Sequence, residues 1–312
     1  MRKQIRPARL RDGATIGVVN PAYWLEPERL QRATSVFEEL GFTLRLGRST
    51  ELRENIYAGS ADERARDIMA MFENPDIDAI VCARGGYGGN RVLPLLDYDL
   101  IRENAKIFVG FSDTTGALTA IAKRSGVVSF HGPMLTTFGK ETIDYNLECF
   151  RQVLSGDDDI RIHSTPQCEA RILKPGKASG PLWGGNLSLI NSFLGTLQQI
   201  DMRGAILVIE DVGEKLYAFD RLLLQLRHTG CLDSIAGLLV GEMPEMGDTP
   251  VSFGKTADEI VMDVCGDLDI PIVSHFPCGH GSYQATLPVS HSVELDASGD
   301  EPFIRIPEAP VS

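Results

Sequence analysis

Along the first half of the chain, short β-rich runs alternate with stretches of helical period, and few folds accommodate that alternation. "ATIGVV" (14–19) has strand content, and "EPERLQRATSVFEELG" after it opens with Pro27 and closes with Gly41, which suits a helix start and stop. "FTLRLG" returns to strand content. "SADE" (60–63) then has capping-box spacing ahead of the helical "RARDIMAMF", and "AIVCAR" (79–84) is the next strand. A helical stretch from Asn90 leads to a strand over Lys106 to Phe111, the helical "TTGALTAIAK" follows, and "GVVSFHG" (126–132) is a further strand. Alternation of this kind implies a parallel sheet covered by helices on both faces.

With 312 residues the chain is long for one core, and about two domains are expected. From 156 to 180 the text becomes polar and rich in Pro and Gly, which predicts a linker between a first domain over 1–155 and a second over 181–312. The second half again alternates, through helical "NLSLINSFLG", strand "AILVIED", helical "KLYAFDRLLLQLRHTG", strand "SIAGLLVGE", a helix near 255–265 and strand "PIVSHF". It closes on the terminal strands "ATLPVSHSVELDA" and "FIRIP". The expected fold is α/β throughout, with a β-rich end to the smaller second domain.

Thirty basic against 43 acidic residues give a net charge of −13, which argues against nucleic-acid or anionic-membrane partners and favours a small-molecule or peptide substrate. The basic start "MRKQIRPARLRDGATIGVV" lacks the apolar core of a signal peptide, and no apolar run reaches a membrane span, so a cytoplasmic protein is expected. Six cysteines without a C-x-x-C pair signal neither a zinc site nor a disulfide framework. Cys82 and Cys278, close to glycine-rich turns, are the candidates for a reactive thiol, although the sequence offers them no activating partner.

The candidate chemistry starts at "GFSDTTGAL", where Ser112 and Asp113 stand between a strand and a helix. Either residue can be an N-cap; alternatively, a serine on a tight strand-to-helix turn exposes its hydroxyl as a nucleophile. Of six histidines, His163, His228 and His291 occupy polar, helix-end and strand contexts that suit a solvated or helix-terminal role. His131 and His275 lie in apolar strand sequence. His280, between two glycines after "PIVSHF", can project from a strand's C-terminal end, where α/β proteins collect functional groups. "AILVIED" ends a strongly apolar strand on Glu210 and Asp211, of which alternation points one inward and the other outward. A serine, an acid and a histidine, each ending a separate apolar strand, suit an acyl hydrolase. "CARGGYGGNR" (82–91) has no G-K-[ST] and no full G-x-G-x-x-G, so its glycines fit a backbone oxyanion donor better than a phosphate cradle.

As an ordered set, "ARGGYG", "VGFSDTTGAL", "HGPM", "GGNLSLI", "LVIEDV", "FDRLLLQL" and "PCGHG" resemble the LD-carboxypeptidase family of serine peptidases, which includes microcin C self-immunity hydrolases. The resemblance covers nearly the whole chain. It implies an N-terminal domain like the class I glutamine amidotransferases, with a parallel sheet, and a smaller C-terminal α/β domain. It implies a triad of Ser112, Glu210 and His280 and oxyanion donors in the amides of Gly86 and Asp113. Arg84, Gly85 and Trp183 are candidates for substrate binding, Arg84 because a carboxypeptidase must neutralise a terminal carboxylate. Phe111 stands where the family frequently has tyrosine and Ser290 where it often has glycine. The implied activity is release of terminal D-alanine from a murein tetrapeptide in peptidoglycan recycling, without cofactor or metal, by a homodimer. The rivals are an immunity-type hydrolase of acyl-sulfamoyl adenylates and a non-catalytic ligand-binding relative. A glutamine amidotransferase is disfavoured, since that class uses cysteine where Ser112 stands.

Overall fold

The structure is a computed structural model and describes residues 2–312. The chain forms two compact units. One runs to Asp157 and also takes in Ala285–Ser290 and Ala309–Ser312, and the other comprises Asp158–Gln284 and His291–Glu308.

In the first unit β1 (Thr15–Val19), β2 (Thr43–Leu46), β3 (Ala79–Cys82), β4 (Ile107–Gly110) and β5 (Ser129–His131) form a parallel sheet in the order β5-β4-β3-β1-β2. Every residue of β3 and β4 is buried, as a strand covered on both faces requires. The helix Pro27–Glu39 starts on its proline and buries Leu30, Ala33 and Phe37. Helix Ala61–Glu73 has the expected capping box: Ser60 Oγ accepts from Glu63 N, and Glu63 Oε2 accepts from Ser60 N at 2.9 Å. The helix expected from Asn90 is instead two short turns, Gly89–Arg91 and Leu93–Leu95, before a helix over Tyr98–Glu103. Pro94 has no N–H to continue a helix, and Asp97 restarts one by accepting from the amides of Asp99 and Leu100.

The segment expected to be a linker is folded. It supplies β6 (Ile160–His163), β7 (Arg171–Lys174) and the first residues of β8 (Lys177–Asn186). β6 and β7 are the two edges of the second unit's sheet, and β6 buries only alternate residues, so its polar text resembles a loop. β9 (Ile206–Glu210), β10 (Gly237–Glu242) and β11 (Ile272–Gly279) follow, with β8, β9, β10 and β11 mutually parallel.

The run "ATLPVSHSVELDA" is divided between the sheets. β12 (Leu287–Val289) pairs antiparallel with β5, whereas β13 (Ser292–Asp296) pairs with β8 and with β14 (Phe303–Ile306). The break falls at Ser290, whose φ of 70° turns the chain out of extended conformation. The completed second sheet has the order β6-β14-β13-β8-β9-β10-β11-β7. Among the described residues no helix is long and apolar enough to cross a membrane.

Candidate active site

Ser112 follows the buried strand β4 on a turn, Ser112–Thr114, that leads into the helix Thr115–Ala120. Its φ is 63°, a left-handed conformation that costs a non-glycine residue about 1 kcal/mol or more. Neither Ser112 nor Asp113 caps the helix, because its N-cap position is Thr114. The close approach at Gly110 is obligatory: a Cβ there would lie 2.4 Å from Thr114 Oγ1.

The glycine turn after β3 meets this serine. A Cβ on Gly85 would lie 3.0 Å from Ser112 Cβ, 3.1 Å from its Oγ and 3.4 Å from Asp113 N. Gly86, at φ 112°, packs on Tyr23, and Gly88, at φ 117°, packs on Tyr57. Asp113 is 4% exposed, and its Oδ2 accepts from Gly89 N at 2.6 Å. Burial pushes its carboxyl above the usual range, opposed by bonds from the Gly89 and Gly88 amides and by the charge of Arg64. Arg84 is half-buried. Its guanidinium donates to the Trp24 carbonyl at 3.1 Å and stands 4.7 Å from the centre of the Tyr23 ring, and burial holds its pKa below the ordinary value.

In the second unit Glu210, at the end of β9, is wholly buried, and its Oε2 is 2.5 Å from Nδ1 of His280, the residue that follows β11. This approach depends on Gly279, since a Cβ at its φ of 92° would fall 2.6 Å from both Cβ and Oε2 of Glu210. Burial opposes charge on His280, but the hydrogen bond and charge of Glu210, then the charges of Asp211 and Glu245, raise its pKa above the ordinary value. Asp211 has other partners: it accepts from Asn186 Nδ2 at 2.9 Å, Ser188 N at 3.0 Å and Ser188 Oγ at 2.8 Å. Of the two acids that alternation left open, Glu210 is the one that bonds His280.

Trp183 is 1% exposed with no hydrogen-bond partner for its indole nitrogen, so it offers no ring face to a ligand in this structure. His275, expected in a buried setting, is half-exposed between Asp258 and Arg171, while His291, expected to be solvated, is 4% exposed with Nε2 2.9 Å from the Glu308 carbonyl. The Cys82 and Cys278 thiols are fully buried, and burial pushes both pKa values up, away from a reactive thiolate. No cluster of His, Cys, Asp or Glu suited to a metal ion occurs among the described residues. The groups that sequence reasoning missed are Arg64, buried at 1% exposure, and the Asp113 carboxylate. Arg64 lies in ordinary helix text, and the one signal for Asp113 was its place after the serine.

The raised His280 pKa fixes the sign of a pH effect. A histidine acting as base must be neutral, so kcat/KM should rise with pH through a midpoint above about 6.5, the usual histidine value. Glu210→Gln removes the charge and leaves burial dominant, so the midpoint should drop below that value while the rate falls. A pH profile unmoved by Glu210→Gln would contradict the coupling. The same shift contributes folding stability that is complete below the unfolded-state pKa and is lost as pH rises through the folded one.

A serine on a strained strand-to-helix turn and a buried carboxylate paired with a histidine are the components of a serine hydrolase. Residues 16–132 match the LD-carboxypeptidase N-terminal domain and residues 179–295 the LD-carboxypeptidase C-terminal domain, and the chain belongs to this family of peptidases. It is 35% identical over 296 residues to a probable murein peptide carboxypeptidase of Bacillus subtilis, covering 94% of this chain and 92% of that one. Among solved structures, the microcin C7 self-immunity protein MccF in complex with aspartyl sulfamoyl adenosine superimposes with a TM-score of 0.92 at 27% identity, covering 99% of this chain and 100% of that one. The muramoyltetrapeptide carboxypeptidase of Oxalobacter formigenes gives 0.86 at 29% identity, covering 96% and 100%. The two-domain α/β fold is that of these proteins.

Proposed function

We propose that the protein is a cytoplasmic, cofactor-independent serine carboxypeptidase that releases terminal D-alanine from murein-derived tetrapeptides by hydrolysing an L,D-peptide bond. The observation that carries this reading is the bond between buried Glu210 and His280 Nδ1, which makes Nε2 the nitrogen for proton exchange. Ser112 Oγ attacks the scissile carbonyl and His280 takes its proton. The amides of Gly86 and Asp113 hold the oxyanion, and His280 returns the proton to the departing D-alanine amine. Water, activated by the same histidine, then hydrolyses the acyl-enzyme and restores Ser112. Glu210 fixes the imidazole tautomer and supports its cationic form. Gly85 lines the approach to Ser112, and the functional protein is a homodimer.

The similarity to MccF favours one second reading, hydrolysis of an acyl-sulfamoyl adenylate by the same groups. A carboxypeptidase must recognise a terminal carboxylate, for which Arg84 is the nearest arginine to the glycine turn in sequence. The expected result is cleavage of a murein tetrapeptide, no cleavage of its C-terminal amide, and no turnover of aspartyl sulfamoyl adenosine, followed by mass spectrometry of the products. Equal cleavage of acid and amide would move the assignment to the second reading.

A further inference from the structure

In the reading above the main-chain N–H of Asp113 serves the oxyanion and its side chain is unused. That side chain is a carboxylate one residue from the nucleophile, with the residue only 4% exposed, and a buried carboxylate is costly unless its bonds are specific. They are specific: Oδ2 accepts from Gly89 N at 2.6 Å, and the Gly88 amide also bonds the carboxylate. Gly89 is shaped for this contact, because a Cβ there would lie 2.8 Å from Oδ2 and 3.1 Å from the Asp113 carbonyl oxygen.

The same turn is held from the other side. Arg64 donates from Nη1 to the carbonyl of Gly88 at 2.8 Å and to that of Pro21, and from Nε to the carbonyls of Gly59 and Ser60. At the turn's start, the Gly85 carbonyl accepts from Tyr23 N, and Gly85 lies against Ser112. Between the anchored Gly85 and Gly88 only Gly86 and Tyr87 remain, and Tyr87 is 58% exposed at the tip. A donor contributes to an oxyanion site only when it is held to within tenths of an ångström of the developing charge.

We propose that the Asp113 carboxylate is a positioning group for the oxyanion site, tying the turn that carries the Gly86 amide to the turn that carries Ser112. One residue thereby supplies one oxyanion donor and sets the place of the other, so that nucleophile and donors keep their relative geometry. The inference rests on the serine-hydrolase reading. It extends to Arg64, which holds the far side of the same turn.

The test uses the full chain and two variants, Asp113→Asn and Gly89→Ala. The second keeps the carboxylate and wedges a methyl group against it, and it decides the matter if the first does not fold. Sites are titrated to completion with a fluorophosphonate, so that turnover is counted per competent serine. The expected result is a fall in kcat per titrated site of about 100-fold, with KM within about threefold of wild type. Phosphonylation should slow by a similar factor, because the phosphoryl oxygen occupies the same donors. A folded variant that turns over within about threefold of wild type per titrated site, or that loses efficiency through KM alone, overturns the proposal. Failure of the wild-type protein itself to take the fluorophosphonate and cleave peptide would instead overturn the hydrolase reading.

Discussion

Ser112→Ala is expected to lower hydrolysis about 10³- to 10⁶-fold and to abolish fluorophosphonate labelling, with the fold intact. The hydroxyl is the only group removed, and alanine meets the same left-handed penalty that serine already bears at φ 63°. Ser112→Gly extends the argument. Glycine has no Cβ to strain there, so this variant should be equally inactive and more stable than the alanine variant by about 1 kcal/mol, read from thermal or denaturant unfolding. Inactivity joined to a gain in stability would be the mark of strain held at a functional turn. Near-normal turnover by either variant would remove the covalent mechanism.

His280→Ala and Glu210→Ala should each reduce kcat about 10³- to 10⁴-fold or more, and adding Ser112→Ala to either should change little further, because a triad acts as a unit. The Glu210 effect has a geometric counterpart. Gly279→Ala puts a methyl group 2.6 Å from Glu210 Oε2, and it should reproduce much of the loss without touching a titratable group. Asp211→Asn is the control. Asp211 holds Asn186 and Ser188 and acts on His280 through its charge alone, so its loss should cost about 1–3 kcal/mol of stability and lower the midpoint of the pH profile by less than Glu210→Gln does. Full additivity of the triad substitutions, or a larger kinetic loss at Asp211 than at Glu210, would show that the acid had been misassigned.

Local chemistry determined a good part of this molecule. The apolar runs of β3, β4 and β9 need no partner to declare themselves strands, since each is buried on both faces along its whole length. The Ser60–Glu63 box and Pro27 mark helix starts through bonds and dihedral preferences a few residues long. The places of Ser112, of the pair Glu210 and Asp211, and of His280 at the ends of apolar strands were legible for the same reason.

Tertiary structure decided whatever depends on a second segment. Edge strand β6 buries only alternate residues and edge strand β7 fully buries none, so their composition matches a loop until β14 and β11 pair with them. The strands β12 and β13 read as one run, and only pairing with β5 and with β8 separates them at Ser290. Alternation offered Glu210 and Asp211 alike, and the choice came from Gly279, which lets His280 reach one, and from Asn186 and Ser188, which hold the other. Arg64 and the Asp113 carboxylate gave no strong sequence signal, because a buried charge is defined by the backbone groups that meet it. Those groups come from Pro21, Gly59, Gly88 and Gly89, brought together only when the parallel sheet forms.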